Sequence, residues 1–166
     1  TKLQNCNSYI CKMEINPFSD DYFMKEALEE ALKAELSDEV PVGVVIVCEN
    51  QIIARAHNYT ERLNDVTAHA EMQAFTSAAD YLGGKYLNEC TLYVTLEPCY
   101  MCAAAIVHSR IDNLVFAAID EKTGAVVSQG SYFDQSHVNH KVSYSQGELI
   151  KESSDILRKF FEDKRS

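Results

Sequence analysis

Two short segments of this sequence carry residues suited to chemistry at a metal ion: Ala68-His69-Ala70-Glu71 and Leu96-Glu97-Pro98-Cys99-Tyr100-Met101-Cys102. Each stands at the start of a predicted helix. Cys99 and Cys102 are three residues apart and share a helix face, so two sulfurs can reach one ion. His69 and Glu71 are two apart and point in different directions; one can be a ligand while the other meets a bound water from the side. Helix N-termini also favour thiolates over thiols. One histidine and two cysteines leave the fourth tetrahedral position of zinc open, the layout of a catalytic site. An ion there lowers the pKa of its water, and Glu71 is placed to move protons. A Cys-x-x-Cys alone is a weak signal, shared with redox pairs and buried thiols. A closed structural site needs a fourth ligand, and Cys48, Cys90 and His108 offer themselves without the usual paired spacing. Both segments together, in order and at helix starts, favour catalysis.

The elements that must position these residues can be read from periodicity. A first helix is predicted from about Asp20 to Leu36, with Ser19 as N-cap and Met24, Leu28, Ala31 and Leu32 as its apolar stripe. Val44–Cys48 and Gln51–Ala56 read as a hairpin joined through Glu49-Asn50. A second helix is predicted from near Ala68, capped by Thr67, with Met72, Phe75, Ala79 and Leu82 facing inward and Gly83-Gly84 ending it. Thr91–Leu96 is a buried-strand run, Pro98 opens a third helix, and Asn113–Ile119 is a fourth strand. A weaker strand signal at Val142–Tyr144 precedes a last helix over Gly147–Phe161, with Leu149, Ile156, Leu157, Phe160 and Phe161 as its stripe. Strand pairs followed by alternating strands and helices predict a three-layer α/β/α sandwich around one mixed sheet.

At 166 residues the chain fits one domain, expected over residues 19–166, with 1–18 a polar, flexible N-terminal extension. Apolar residues make up 46% and charged residues 24%, an ordinary globular composition. The longest uncharged run, Pro98–Ser109, is about half of what a membrane span needs. The N-terminus shows no continuous apolar signal core, so a cytoplasmic protein is expected, and clustered cysteines then read as metal or catalytic groups. The net charge of -10 argues against a phosphate-backbone binder when taken alone. The charge is uneven, however. Residues 13–40 hold nine acids against two bases, while residues 141–166 hold six bases against five acids. A locally basic site can coexist with that acidic helix.

The chain resembles the cytidine deaminase superfamily, whose nucleobase deaminases share the His-x-Glu and Pro-Cys-x-x-Cys signature. Within it, the resemblance is to the bacterial tRNA-specific adenosine deaminases. It runs from about Asp20 to Phe161 and rests on Glu39-Val40-Pro41-Val42-Gly43, the two metal segments, His108-Ser109-Arg110-Ile111, Lys122-Thr123-Gly124-Ala125 and Asn139-His140-Lys141. The metal segments specify the superfamily, and the last three favour the tRNA branch. The resemblance implies a five-stranded mixed sheet, one zinc ion per subunit, and a homodimer with sites near the subunit boundary. The implied reaction is hydrolysis of the wobble adenosine to inosine in a tRNA anticodon stem-loop. His69, Cys99 and Cys102 then bind zinc, and Glu71 protonates a ring nitrogen and the departing ammonia. Asn58 reads the base edge, its amide offering both donor and acceptor. Val42 and Ala70 complete the base contacts, and Asp120, Lys122, Asn139 and His140 touch the nucleotides beside the target. The alternatives are a deaminase of a free nucleobase or nucleotide (guanine, cytosine or deoxycytidylate) and an inactive zinc-bearing RNA-binding or dimerisation module.

Overall fold

Val44 and Ile46 face one way along strand β1 (Gly43–Cys48), Val45 and Val47 face the other, and all four are buried. A strand apolar on both sides must be covered on both sides. The computed structural model, which describes residues 16–166, shows how; nearly all of the expected 1–18 extension lies outside the described residues. The chain runs α1 (Asp20–Leu36), β1, β2 (Gln51–His57), a single helical turn α2 (Thr60–Leu63), α3 (Ala70–Leu82), β3 (Cys90–Leu96) and α4 (Tyr100–His108). It continues through β4 (Asn113–Ala118), a 3₁₀ turn at Tyr132–Asp134, β5 (Ser143–Gln146) and α5 (Ile150–Arg165).

The five strands lie in the order β2-β1-β3-β4-β5, with β1 antiparallel to β2 and β3, and β3, β4 and β5 mutually parallel. Phe23, Met24 and Ala27 of α1 cover the face formed by Val45, Val47, Tyr93, Val115 and Ala117. Alanines of α3, with Ala103, Ile106 and Val107 of α4, cover the opposite face at Val44, Ile46, Leu92, Val94 and Phe116. This is the three-layer α/β/α sandwich with a five-stranded mixed sheet. Close approach of α1 to the sheet makes one glycine obligatory. A Cβ at Gly43 would lie 2.0 Å from the Ala27 carbonyl oxygen and 2.3 Å from the Ala31 nitrogen. Among the described residues no helix is long and apolar enough to cross a membrane.

Several boundaries differ from the sequence prediction for physical reasons. The second helix starts at Ala70, with His69 extended at its N-cap. Thr67 does not cap it, because its hydroxyl and amide both donate to Asp65 Oδ1, at 2.7 and 2.8 Å. The face it buries is Ala70, Glu71, Ala74 and Ala78, not the Met72, Phe75, Ala79 and Leu82 stripe; Leu82 is exposed. Small side chains let α3 lie close against the sheet, and the larger apolar residues are left at its flanks. The last helix begins three residues later than predicted. Gly147 is still held to the sheet through its amide on the Phe116 carbonyl (2.8 Å), and Leu149 is left-handed at φ 60°. That helix buries Ser153 and Phe160, leaves Phe161 exposed, and runs on to Arg165, where Lys164 bonds Asp38 at 2.7 Å.

Candidate active site

All the elements that carry chemistry end at one edge of the sheet. β1 begins there at Gly43, β2 ends there at His57, and β3 and β4 both point their C-terminal ends to it. The crevice beyond the carboxyl ends of parallel strands is where open α/β sheets bind ligands. A cavity of about 180 Å³ opens at that edge.

Its floor is made by two helix N-caps. After β3 the Glu97 amide donates to the Ala118 carbonyl (2.8 Å), Pro98 turns the chain, and Cys99 is the extended N-cap of α4. Cys102 follows three residues later on the same face. His69 occupies the equivalent N-cap of α3. The ligand atoms of His69, Cys99 and Cys102 all lie within 4.8 Å of one another, and His69 Nδ1 stands 3.7 Å from Cys99 Sγ and 3.5 Å from Cys102 Sγ. The Cys102 thiol donates to Cys99, which holds the Cys99 thiol down at about 4 against its burial, with His69 helping. The same contact pushes Cys102 up, and burial adds to it. His69 is raised chiefly by its hydrogen bond with Cys99. One nitrogen and two sulfurs converging on a point, one sulfur already favouring the thiolate, is a donor set that fits zinc.

Glu71 lies one residue inside α3, 4% exposed, and lines the same cavity. Burial pushes its carboxyl above the ordinary carboxylate range. Ala70, Val42 and Val40 give the cavity its apolar side. On the far wall Asn58 is buried, and its Nδ2 donates to Glu39 Oε2 (3.3 Å) and Thr60 Oγ1 (3.0 Å). Its Oδ1 has no hydrogen-bond partner among the described residues and is not sealed from the cavity.

Two glutamates that sequence reasoning passed over build these walls. Glu39 is fully buried; besides Asn58 it accepts the Thr60 hydroxyl (3.4 Å) and the amides of Glu61 (3.2 Å) and Arg62 (2.8 Å), so it caps α2 from across the chain. Glu97 accepts the amides of Asp120 (3.1 Å), Val126 (3.1 Å), Val127 (2.8 Å) and Ser128 (3.0 Å), and the Ser128 hydroxyl. Burial pushes its carboxyl up, but these donors together pull it below the usual range. Both residues stand in motifs singled out above, yet nothing near them in the chain marks them as partnered, since every donor is at least 19 residues away.

The remaining predicted contacts divide. Asp120 lines the cavity and accepts the amides of Lys122 (3.0 Å) and Thr123 (3.1 Å), shaping the loop. Lys122 is exposed beside it, next to Cys99 and Tyr100. Asn139 and His140 lie at the other end of β4. His140 Nε2 donates to the Ile111 carbonyl (2.8 Å) and faces Asp112 (3.3 Å), while the Asn139 carbonyl accepts from Arg110 (3.4 Å). The nine residues of α4 separate that cluster from the cavity by about 14 Å.

A zinc-type donor set beside a desolvated carboxyl is what hydrolytic deaminases of the zinc type require, and that is the class the fold and the site define. Residues 17–118 match the family model for the cytidine and deoxycytidylate deaminase zinc-binding region. The tRNA-specific adenosine deaminase of Aquifex aeolicus is 49% identical over 146 residues, covering 88% of this chain and 96% of that protein. That of Bacillus subtilis is 44% identical over 146 residues, covering 88% and 91%. A structure solved in studies of A-to-I editing by tRNA:A34 deaminases superposes with a TM-score of 0.80 at 47% identity, covering 82% of this chain and 99% of that one. The chain belongs to the cytidine and deoxycytidylate deaminase family, among its tRNA-specific adenosine deaminases.

Proposed function

We propose that this protein hydrolyses the wobble adenosine of a tRNA anticodon loop to inosine, releasing ammonia. The observation that carries the reading is the pairing of the His69-Cys99-Cys102 donor set with the buried Glu71 in one cavity whose opposite wall is Asn58. His69, Cys99 and Cys102 hold one zinc ion, which when bound acidifies a water and polarises it for attack. Glu71 does the proton work: it takes the proton from that water at a carboxylate oxygen, passes it to the adenine ring nitrogen, and delivers a proton to the departing amine. Its desolvated pocket keeps the protonated form within reach. Val42 and Ala70 pack the base, and Asn58, its Nδ2 side fixed by Glu39 and Thr60, presents the rest of its amide to the base edge.

A cavity at helix ends suits a base splayed from a single-stranded loop. Asp120 and Lys122 lie beside the cavity mouth, where the flanking nucleotides pass. Asn139, His140 and Arg110 sit too far to touch the target base and serve nucleotides further along the RNA or, in a homodimer, the neighbouring subunit's substrate. The protein works in the cytoplasm, where tRNA is available. Inosine formation read by mass spectrometry tests the reading. The zinc-loaded protein is expected to convert a wobble adenosine in an anticodon stem-loop and to leave free adenosine, guanine and cytosine unchanged. Conversion of a free base with the stem-loop intact would replace the RNA assignment while keeping the zinc chemistry.

A further inference from the structure

One residue at the mouth of the site has no part in the chemistry above. Tyr100 opens α4 directly after Cys99, and its side chain is held firmly although the residue is 48% exposed. Its hydroxyl donates to the Gln129 carbonyl at 3.2 Å, and Tyr132 meets it edge-on with centroids 6.1 Å apart. The loop comes so close that a Cβ at Gly130 would lie 2.2 Å from the phenol oxygen, so the chain keeps a glycine there to let the ring in. Beside the ring is a second concavity of about 490 Å³, lined by Cys99, Tyr100, Met101, Lys122, Thr123 and Gln129. It shares Cys99 and Thr123 with the catalytic cavity, so the two adjoin. Lys122 is exposed and takes part in none of the ion pairs among the described residues.

We propose that Tyr100 is a further positioning residue of the site: in this second concavity, beside Lys122, the base of the nucleotide adjoining the target adenosine stacks on its ring. The inference rests on the reading of the main cavity as an RNA deaminase site. A base swung into the catalytic cavity leaves its neighbour unstacked, and an immobilised aromatic ring replaces the lost stacking without reading sequence. A ring already fixed by three contacts loses little freedom when a base settles on it. The lone ammonium at the same concavity supplies the positive charge that the acidic chain otherwise lacks here.

The test places 2-aminopurine beside the target adenosine of an anticodon stem-loop and follows its fluorescence on binding. The zinc-loaded Glu71→Gln protein holds the substrate unreacted. Quenching is expected with this protein, and with Tyr100→Phe added, and is lost with Tyr100→Ala or Tyr100→Leu added. With Glu71 intact, Tyr100→Ala and Tyr100→Leu should each raise KM for the stem-loop roughly tenfold with kcat within about twofold, at unchanged zinc content and unfolding midpoint. Unchanged quenching and KM in both variants would overturn the inference while leaving the deaminase reading in place. So would a KM effect that tracks dissociation of a dimer, which would make the ring a contact between chains. Tyr100-dependent quenching in a protein that leaves the adenosine intact would keep the subsite and overturn the deaminase reading. Failure to bind the stem-loop at all would overturn both.

Discussion

Three glutamates are buried around one cavity, and they are handled in opposite ways. Glu97 and Glu39 are each met by four or five donors on their walls, while Glu71, on the floor, is buried beside the metal ligands with its carboxyl pushed upward by desolvation. An ionised carboxylate is tolerated in a dry setting only when hydrogen bonds replace its water. Glu97 and Glu39 meet that condition and are fixed in place; they hold loops 120–128 and 58–62 to the ends of the strands. Glu71 does not meet it to the same degree and its carboxyl is raised by burial, which suits the proton-carrying role proposed for it. Scaffold and reactive carboxyls are distinguished here by their donors, not by residue type or depth.

The largest effect should come from the unsaturated side of that contrast. Glu71→Gln keeps the shape and removes the proton carrier. Turnover of the stem-loop should fall by roughly 10²–10⁴-fold or more while zinc content stays at one per chain. Metal analysis alongside inosine formation checks both, and retention of full turnover would break the assignment of Glu71 as the proton carrier. Removing the metal with a chelator should give a comparable loss that added zinc reverses. Cys102→Ser should lose metal and activity together, because the site then has two strong donors left.

On the saturated side, the expected loss is in stability. Glu97→Gln turns an amide NH₂ towards backbone N–H groups that need an acceptor, costing about 1–3 kcal/mol by denaturant unfolding. The pH dependence has a definite sign. Because the Glu97 carboxyl is depressed in the folded chain, it binds a proton more readily when unfolded. Its contribution is therefore present above the ordinary value of 4.5 and is lost as the pH falls through the lower folded value. Wild type should lose stability relative to Glu97→Gln across that window, the two curves converging towards acid. Parallel curves would mean that Glu97 is not held as an anion.

How much of this was readable in the sequence follows the same division. The metal ligands and Glu71 lie in short contiguous motifs, so their types and spacing carried the chemistry. The alternating apolar runs carried the strands, and their order carried the three layers. What could not be read is what depends on distant partners or close packing. Glu39 and Glu97 find their donors far along the chain. The inward face of α3 is made of alanines, whose weak hydrophobic signal is outvoted by Met72 and Phe75 in any periodicity argument. The start of α5 is set by a left-handed Leu149 and a glycine docked on Val115, both tertiary facts that periodicity does not carry. His69 and Cys99 lie inside the helices that periodicity assigns, yet both stand at N-caps, one step before the helices that form.

The smallest effect sharpens the contrast furthest, because Glu39 touches Asn58, the residue proposed to face the substrate. A carboxylate can only accept, so Glu39 dictates which side of the Asn58 amide it meets and thereby which side is left for the base. Glu39→Gln keeps the size and the acceptor oxygen but adds an NH₂, so the Asn58 amide no longer has one preferred orientation. The Glu61 amide uses Oε2 and the Arg62 amide Oε1, so one of the two then faces the NH₂, and the fold should lose about 1 kcal/mol. Proton transfer at Glu71 is untouched, so kcat at saturation should hold while KM for the stem-loop rises about fivefold, close to 1 kcal/mol of base recognition. If instead kcat falls and KM holds, Glu39 acts on the reacting geometry through α2, and the division between reactive floor and fixed walls must be redrawn to place it with Glu71.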